Sequence, residues 1–129
     1  MPLKISLKQN EKIYINGVVI KNGNTVANIS IENSDASILR QSSIMKEEDI
    51  TTYCKKIYYT IQLMYIDPNN LQKYIDEYWT LVNVLVEIVP TLTEIIDNIN
   101  HLLIDNQYYQ ALKKASELIS IEEEYMKNV

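Results

Sequence analysis

The spacing of apolar residues changes near Met45, and this change constrains the fold more than any other feature of the chain. Before Met45 apolar and polar residues alternate, as they do from Leu3 to Lys8, and a period of two places the apolar set on one face of a β-strand. After Met45 the apolar residues recur every three or four positions, which is the period of an amphipathic helix. We therefore predict an α+β fold, with a small antiparallel β lobe of four or five short strands in residues 1–46. A bundle of about four α-helices follows in residues 47–129.

Local signals predict where these elements begin and turn. Asn22-Gly23 separates two apolar runs and is a strong hairpin signal, because both residues tolerate positive φ. The acidic run that starts at Glu47 is typical of the first turn of a helix. Pro68 predicts the start of a second helix, and Thr91 with Glu94 forms a capping box that predicts the start of a third. The sheet needs a cover for its apolar face, and we expect either the first helix or a second subunit to supply it.

Charge is distributed unevenly between the two predicted lobes. The chain has a net charge of -5, which excludes a uniformly basic nucleic-acid binder. Residues 1–46 nevertheless hold six Lys or Arg and three acidic residues, whereas residues 47–129 hold six Lys and fourteen acidic residues. Lys4, Lys8 and Lys12 occupy even positions, opposite the apolar side, and we expect them to share one exposed sheet face. Such a face attracts a polyanion; alternatively, its lysines only solubilise the edge of a small sheet.

Catalytic and metal-binding patterns are weak in this sequence. Cys54 is the single cysteine and His101 the single histidine, and they fall in different predicted helices, so we expect Cys54 to pack as a small core residue. We predict no enzymatic activity, no metal and no cofactor, because neither a glycine-rich phosphate loop nor a set of metal ligands is present. The apolar runs are too short to span a membrane or to form a secretory signal, and we expect a cytoplasmic protein.

Tyrosine is abundant in the predicted helical lobe. Adjacent pairs, Tyr58-Tyr59 and Tyr108-Tyr109, cannot both face one core, so at least one ring of each pair is expected at an edge. Tyrosine is favoured at protein interfaces, because one end of the side chain is apolar and the other is wet. Packing within the bundle and contact with a partner protein are both consistent with this pattern.

Several stretches together resemble the flagellar biosynthesis repressor family FlbT. They are Met1-Pro2-Leu3-Lys4-Ile5-Ser6-Leu7-Lys8, then Ser37-Ile38-Leu39-Arg40, then Ile57-Tyr58-Tyr59-Thr60-Ile61-Gln62-Leu63-Met64-Tyr65-Ile66-Asp67-Pro68, and finally Tyr108-Tyr109-Gln110-Ala111-Leu112. The resemblance implies a non-enzymatic cytoplasmic regulator that binds the 5′ untranslated leader of flagellin mRNA and represses its translation or promotes its decay. It also implies a small partner protein, FlaF.

The β lobe alone is also similar, over residues 3–44, to the carbon storage regulator family, a β-dimer that grips an mRNA leader with edge strands and a late arginine. That similarity would match Arg40 to the arginine. On this hypothesis the RNA-binding residues are Lys4, Lys8, Lys12, Lys21 and Arg40. The alternative is a protein-interaction module, or a chaperone-like partner of flagellin or FlaF, that uses Tyr58, Tyr59, Tyr108 and Tyr109.

Overall fold

The computed structural model describes residues 2–33 and 35–127. Within these ranges five short strands precede four α-helices, so the predicted α+β fold is confirmed. The chain divides into two compact units, the first ending at Ile44 and the second beginning at Met45. We call them the N-terminal unit and the helical unit.

The strands of the N-terminal unit form two small antiparallel sheets. β1 pairs with β4 in one sheet, and the other sheet has the order β3-β2-β5. The strands are β1 (Leu3–Leu7), β2 (Lys12–Ile15), β3 (Val18–Lys21), β4 (Ala27–Ile31) and β5 (Ile38–Arg40). Both sheets place alternate residues on opposite faces, as the period of two requires.

The two sheets cover each other's apolar faces. Ile5 and Leu7 of β1 and Ile13 of β2 are buried in one cluster. The half-buried residues Ile15, Ile29, Ile31 and Ile38 pack around it. Because strands of both sheets contribute to the cluster, the sheets supply at least part of the cover, and a further cover from the first helix or a second subunit stays a prediction.

The tight hairpin turn lies at Asn16-Gly17 and not at Asn22-Gly23, where the sequence predicted it. Ile15 faces Val18 across the turn, and Asn16 and Gly17 adopt φ values of 47° and 87°. This positive-φ pair is typical of a two-residue hairpin loop, and glycine adopts it without steric cost. Asn22 instead uses its side-chain amide to bind the carbonyls of Leu7, Lys8 and Thr25, at 3.2, 2.8 and 2.9 Å. It ties together loops that join the two sheets.

The helical unit contains α1 (Tyr53–Ile66), α2 (Leu71–Ile88), α3 (Thr93–Ile104) and α4 (Tyr108–Lys127). α1 packs against α2 and α4, and α3 packs against α4. Fully buried side chains from all four helices form the core, among them Ile57, Tyr78, Ile99 and Leu118. This arrangement agrees with the predicted bundle of about four helices.

Two of the predicted helix starts are displaced. Glu47, Glu48 and Asp49 lie in a short 3₁₀ turn that precedes α1. α1 instead begins after Thr52, whose hydroxyl accepts a hydrogen bond from the Lys55 backbone amide at 3.2 Å. A hydroxyl at this position satisfies a free helical amide as well as a carboxylate does, so nearby acidic residues do not fix the start.

The third helix also starts later than predicted. Pro90–Leu92 form a 3₁₀ turn, and α3 begins at Thr93, two residues after the Thr91 of the predicted capping box. The Thr93 hydroxyl donates to the Pro90 carbonyl at 2.7 Å. Pro68 occupies a corresponding 3₁₀ turn before α2. Pro68 therefore opens a helical segment as predicted, Pro90 does the same, and the first turn of each segment is the tighter 3₁₀ form.

Candidate nucleic-acid interface

Two of the predicted RNA-binding lysines lie directly opposite each other on neighbouring strands. Lys12 of β2 and Lys21 of β3 are Cα partners, and both are exposed. Side chains of partner residues in an antiparallel pair point to the same face, about 5 Å apart at Cβ. Like charges in this position are unfavourable, so an anion bound between them relieves a repulsion as well as gaining an attraction.

Tyr14 extends this face along β2. It lies two residues from Lys12, so its ring is on the same side of the sheet, and its partner on β3 is Val19. Tyr14 is half-buried, whereas Val19 is 64% exposed. We call the surface formed by Lys12, Lys21, Tyr14 and Val19 the basic face. It combines two cations with an aromatic and an aliphatic side chain, a set that suits a phosphate backbone and an unstacked base.

The Asn16-Gly17 turn holds this pairing in register. The Asn16 side-chain oxygen accepts a hydrogen bond from the Ser37 backbone amide at 2.8 Å. The Asn16 backbone amide donates to the Ser37 carbonyl at 2.9 Å. These bonds fasten the turn to the segment that leads into β5. Because a slip of one residue would move every side chain to the other face, the turn determines that both lysines point outwards.

Arg40 lies on the opposite side of the same sheet. Its Cα partner is Ile13, which is completely buried, so Arg40 occupies the margin of the apolar face. Its Nη1 donates to the Ser6 carbonyl at 3.1 Å and to the Glu11 carboxylate at 3.2 Å. Arg40 thus connects β5 to β1 and does not join Lys12 and Lys21 on the basic face.

Glu11 is a partner of Arg40 that no local pattern in the chain predicts, since the two residues are 29 positions apart. Its Oε1 accepts a hydrogen bond from the Lys8 backbone amide at 2.9 Å. This bond, followed by the Arg40 side chain, holds the pKa of Glu11 below its usual range. Glu11 stays ionised at neutral pH and neutralises much of the charge that Arg40 would offer to a phosphate.

Lys4 and Lys8 lie away from the basic face. Lys4 is on β1, on the outward face of the two-stranded sheet, opposite Ser30. Lys8 is exposed in the loop between β1 and β2. The expectation that Lys4, Lys8 and Lys12 share one face is wrong, because this loop, with Asn10 at φ 62°, carries the chain from one sheet to the other. Alternation in the sequence cannot be continued across such a loop.

The tyrosines predicted to contact a partner occupy different environments in the helical unit. Tyr58 is buried, and burial, followed by the nearby Tyr109, raises its pKa. Tyr59 is half-buried and lines a depression between α1 and α2, with Glu47 and Asp76 also in the lining. Tyr108 is also half-buried. Tyr58 therefore packs inside the bundle, while Tyr59 and Tyr108 keep part of their rings on the surface.

Tyr109 is the most exposed member of this group, with 43% of its surface accessible. Its ring centroid lies 6.4 Å from that of Tyr65, and Lys113 Nζ lies 5.0 Å from the ring centre. The adjacent pair Tyr108-Tyr109 therefore does place one ring at an edge, as the spacing predicted. The cation over the Tyr109 ring is the arrangement of a cation–π contact.

Cys54 behaves as a core residue. It is 1% exposed, and burial, followed by the hydrogen bond and charge of Glu122, raises the pKa of its thiol to about 12. A thiol in this state is almost entirely protonated at neutral pH and is a poor nucleophile. The Glu122 carboxylate also accepts a hydrogen bond from the Cys54 backbone amide at 3.4 Å, which links the start of α1 to the last turns of α4.

Comparison with known proteins assigns the chain to a family. The family described as "Flagellar protein FlbT" matches residues 3–126. The chain belongs to the FlbT family. The resemblance read from the sequence is thereby confirmed.

Full-length relatives in the FlbT family support this assignment. The chain is 34% identical to the "Flagellum biosynthesis repressor protein FlbT" of Caulobacter vibrioides, an alignment that covers 100% of this chain and 92% of the relative. It is 37% identical to the "Probable flagellum biosynthesis repressor protein FlbT 1" of Bradyrhizobium diazoefficiens, over 95% of this chain and 84% of the relative. It is 36% identical to a similarly named protein of Rhodopseudomonas palustris, over 98% of both chains.

These FlbT relatives bear the names of repressors, which supports a regulatory role in flagellar synthesis for the chain. The family is one of regulators and not of known enzymes. No solved structure matches the chain. Across residues 2–33 and 35–127, every helix falls short of the length and apolarity that a bilayer crossing requires.

Proposed function

We propose that this FlbT-family chain is a cytoplasmic post-transcriptional regulator that binds the 5′ untranslated leader of flagellin mRNA and represses its translation or promotes its decay. The observation that carries the proposal is the basic face, where Lys12 and Lys21 are held opposite each other beside Tyr14. The lysines neutralise phosphates and release counterions, and the tyrosine offers a ring on which a base can stack.

Lys4 and Lys8 are exposed but lie away from the basic face, so in this proposal they attract the RNA at longer range or contact phosphates outside that face. Arg40 has a different part in it. Because its guanidinium binds Ser6 and Glu11, Arg40 connects β5 to β1, and a phosphate must compete with the Glu11 carboxylate for it. We therefore expect the two lysines of the basic face to account for more of the affinity than Arg40.

The test is a titration of flagellin leader RNA with the full chain at several salt concentrations. Replacing Lys12 and Lys21 together by alanine removes two phosphate contacts, which lowers the slope of log affinity against log salt by about 1.4 for single-stranded RNA. The same relation gives a loss of affinity of roughly 25-fold at about 0.1 M salt. Fluorescence anisotropy of labelled RNA measures both quantities.

The matched control replaces Lys73 and Lys127, two exposed lysines of the helical unit, by alanine. This variant has the same net charge as the first, so it separates local contacts from long-range attraction. The proposal predicts an affinity within about twofold of the unmodified chain, since neither lysine contacts a phosphate. Equal losses in the two variants would contradict the basic face as the binding site.

A second candidate function is protein interaction by the helical unit, with a FlaF-like small protein or flagellin as partner. The observation that favours it is Tyr109, which is exposed beside Tyr65 on the surface of the helical unit. Tyrosine at such an edge supplies contact area at low entropic cost. Co-purification of the partner with the full chain, and its loss when Tyr109 is replaced by alanine, would support this function. Retention of the partner by that variant would count against Tyr109 as its contact.

A further inference from the structure

A small apolar groove opens between α2 and α3 of the helical unit. Its volume is about 130 Å³, which is room for one large side chain. The lining includes Ile75, Tyr78 and Trp79 of α2 and Asn100 and Ile104 of α3. We call this feature the Trp79 groove.

The floor of the Trp79 groove is firmly built. The Tyr78 side chain is 1% exposed, and its hydroxyl donates to the Asn100 side-chain oxygen at 2.5 Å, which joins α2 to α3. The Trp79 ring meets the Tyr78 ring edge-on, with centroids 5.6 Å apart and an interplanar angle of 73°. The groove is therefore pre-formed, and binding a ligand requires no rearrangement of the helices to open it.

The rim of the groove is apolar and exposed. Trp79 is 42% exposed and Ile104 is 72% exposed. Leaving large apolar side chains in water at the mouth of a concave site costs stability, and such patches mark sites of contact with other molecules. Tryptophan, the residue type at position 79, is also enriched among the side chains that carry most of the binding energy near the centre of protein interfaces.

The charge around the groove restricts the occupant. Asp105 follows Ile104 in the chain, and Asp97 lies one helical turn before Asn100, close enough to Tyr78 to raise the pKa of its hydroxyl, after burial. A second copy docked groove to groove would bring two acidic rims together, which is unfavourable. A cationic occupant is attracted.

We propose that the Trp79 groove is a docking site for a basic amphipathic helix of another protein, which inserts one large apolar side chain between Trp79 and Ile104. The helix would lay its apolar stripe along the rim and place Lys or Arg near Asp97 and Asp105, the helix-in-groove mode of recognition. This site specifies the chemistry of a partner for the helical unit. It does not rest on RNA binding by the N-terminal unit, so the two proposals fail separately.

Trp79 is the only tryptophan of the chain, so its fluorescence reports directly on the groove. The probes are two synthetic helical peptides that share a leucine stripe, one with lysine and one with glutamate at all other positions. The full chain is expected to bind the lysine peptide about tenfold or more tightly than the glutamate peptide, with a blue shift of Trp79 emission, because charge complementarity selects between equal apolar stripes.

Two variants with the same charge change make the test specific. Ile104→Lys places a cation on the rim. It should lower the affinity for the lysine peptide about tenfold or more, as expected for the loss of an anchoring contact. Ile88→Lys is the control, because Ile88 is 69% exposed at the end of α2, outside the groove lining. It should change the affinity less than about twofold, since it removes no contact with the peptide.

Three results would overturn the proposal. The first is equal binding of the two peptides, and the second is equal loss with Ile104→Lys and Ile88→Lys, since either would show non-specific attraction to an acidic protein. The third is a dimer of the full chain, seen by sedimentation, that Ile104→Lys dissociates, because the groove would then belong to a second copy. Circular dichroism of both variants confirms that they remain folded.

Discussion

At the residue scale, the cations of the N-terminal unit differ in whether protein groups already occupy the side chain that would bind a phosphate. Lys12 and Lys21 repel each other across a strand pair and gain from an anion. Arg40 has the Ser6 carbonyl and the Glu11 carboxylate as partners. The side chain best suited to a forked phosphate contact is thus the one most engaged by the protein. The spacing of residues along the chain does not distinguish these cations, because a contact between residues 29 positions apart leaves no local signal.

Cys54 gives a prediction at the same scale. Burial and Glu122 raise the pKa of the thiol to about 12, so the folded state keeps its proton at a pH where the unfolded thiol has lost it. At pH 8 the thiol of the folded chain should react with a disulfide reagent at least about 100-fold more slowly than that of the urea-unfolded chain, because the thiolate is the reactive form. Equal rates in the two states would contradict a buried thiol.

The sign of the linked pH effect follows from the same pKa. Between the usual pKa of a thiol and about 12, the folded chain holds more protons at Cys54 than the unfolded chain. The contribution of the Cys54 thiol to the free energy of unfolding is therefore at its full value at neutral pH, and it is lost as the pH rises through that window. Cys54→Ala should flatten this part of the stability curve, which urea unfolding at pH 8, 9 and 10 would measure.

At the element scale, the Asn16-Gly17 turn sets the register of β2 and β3. Gly17→Ala is expected to cost about 1 kcal/mol, because a φ of 87° strains any residue with a Cβ. Amide exchange in β2 and β3 should accelerate about fivefold if local opening is eased by that amount. Hydrogen–deuterium exchange of the full chain measures this directly.

Gly23→Ala is the matched control for the turn. An added Cβ at Gly23 meets no atom within 4 Å, and its φ lies outside the left-handed region. Replacing glycine by alanine at such a position leaves stability unchanged or raises it by roughly 0.4–1 kcal/mol, because the unfolded chain loses freedom. Faster exchange in the Gly23 variant than in the Gly17 variant would contradict the assignment of the turn.

The elements themselves were largely predictable from the sequence, and their ends were not. The period of two and the period of about 3.6 are averages over many residues, so they survive local exceptions and identify both units. Asn16-Gly17 and Asn22-Gly23 have the same turn chemistry, and only the pairing of β1 with β4 determines which becomes a hairpin. Likewise Glu47 and Thr52 are both suitable near a helix start, and Thr52 provides the cap.

At the scale of the whole molecule, the two units carry charge of opposite sign. Residues up to Ile44 hold five Lys or Arg and three acidic residues, and residues from Met45 hold seven Lys and fourteen acidic residues. RNA is therefore attracted to one unit and repelled by the other, while a basic helix has the opposite preference. This separation was visible in the sequence. The basic face and the Trp79 groove were not, because both are made by residues from different strands or helices.

Crosslinking of the full chain to flagellin leader RNA tests the central claim most directly. Ultraviolet crosslinking followed by mass spectrometry of the digested chain identifies which peptides carry nucleotides. The account predicts crosslinks at Tyr14 and on peptides that contain Lys12 and Lys21, because an aromatic ring stacked on a base is well placed to react. Crosslinks confined to peptides of the helical unit, with the basic face unmodified, would contradict it.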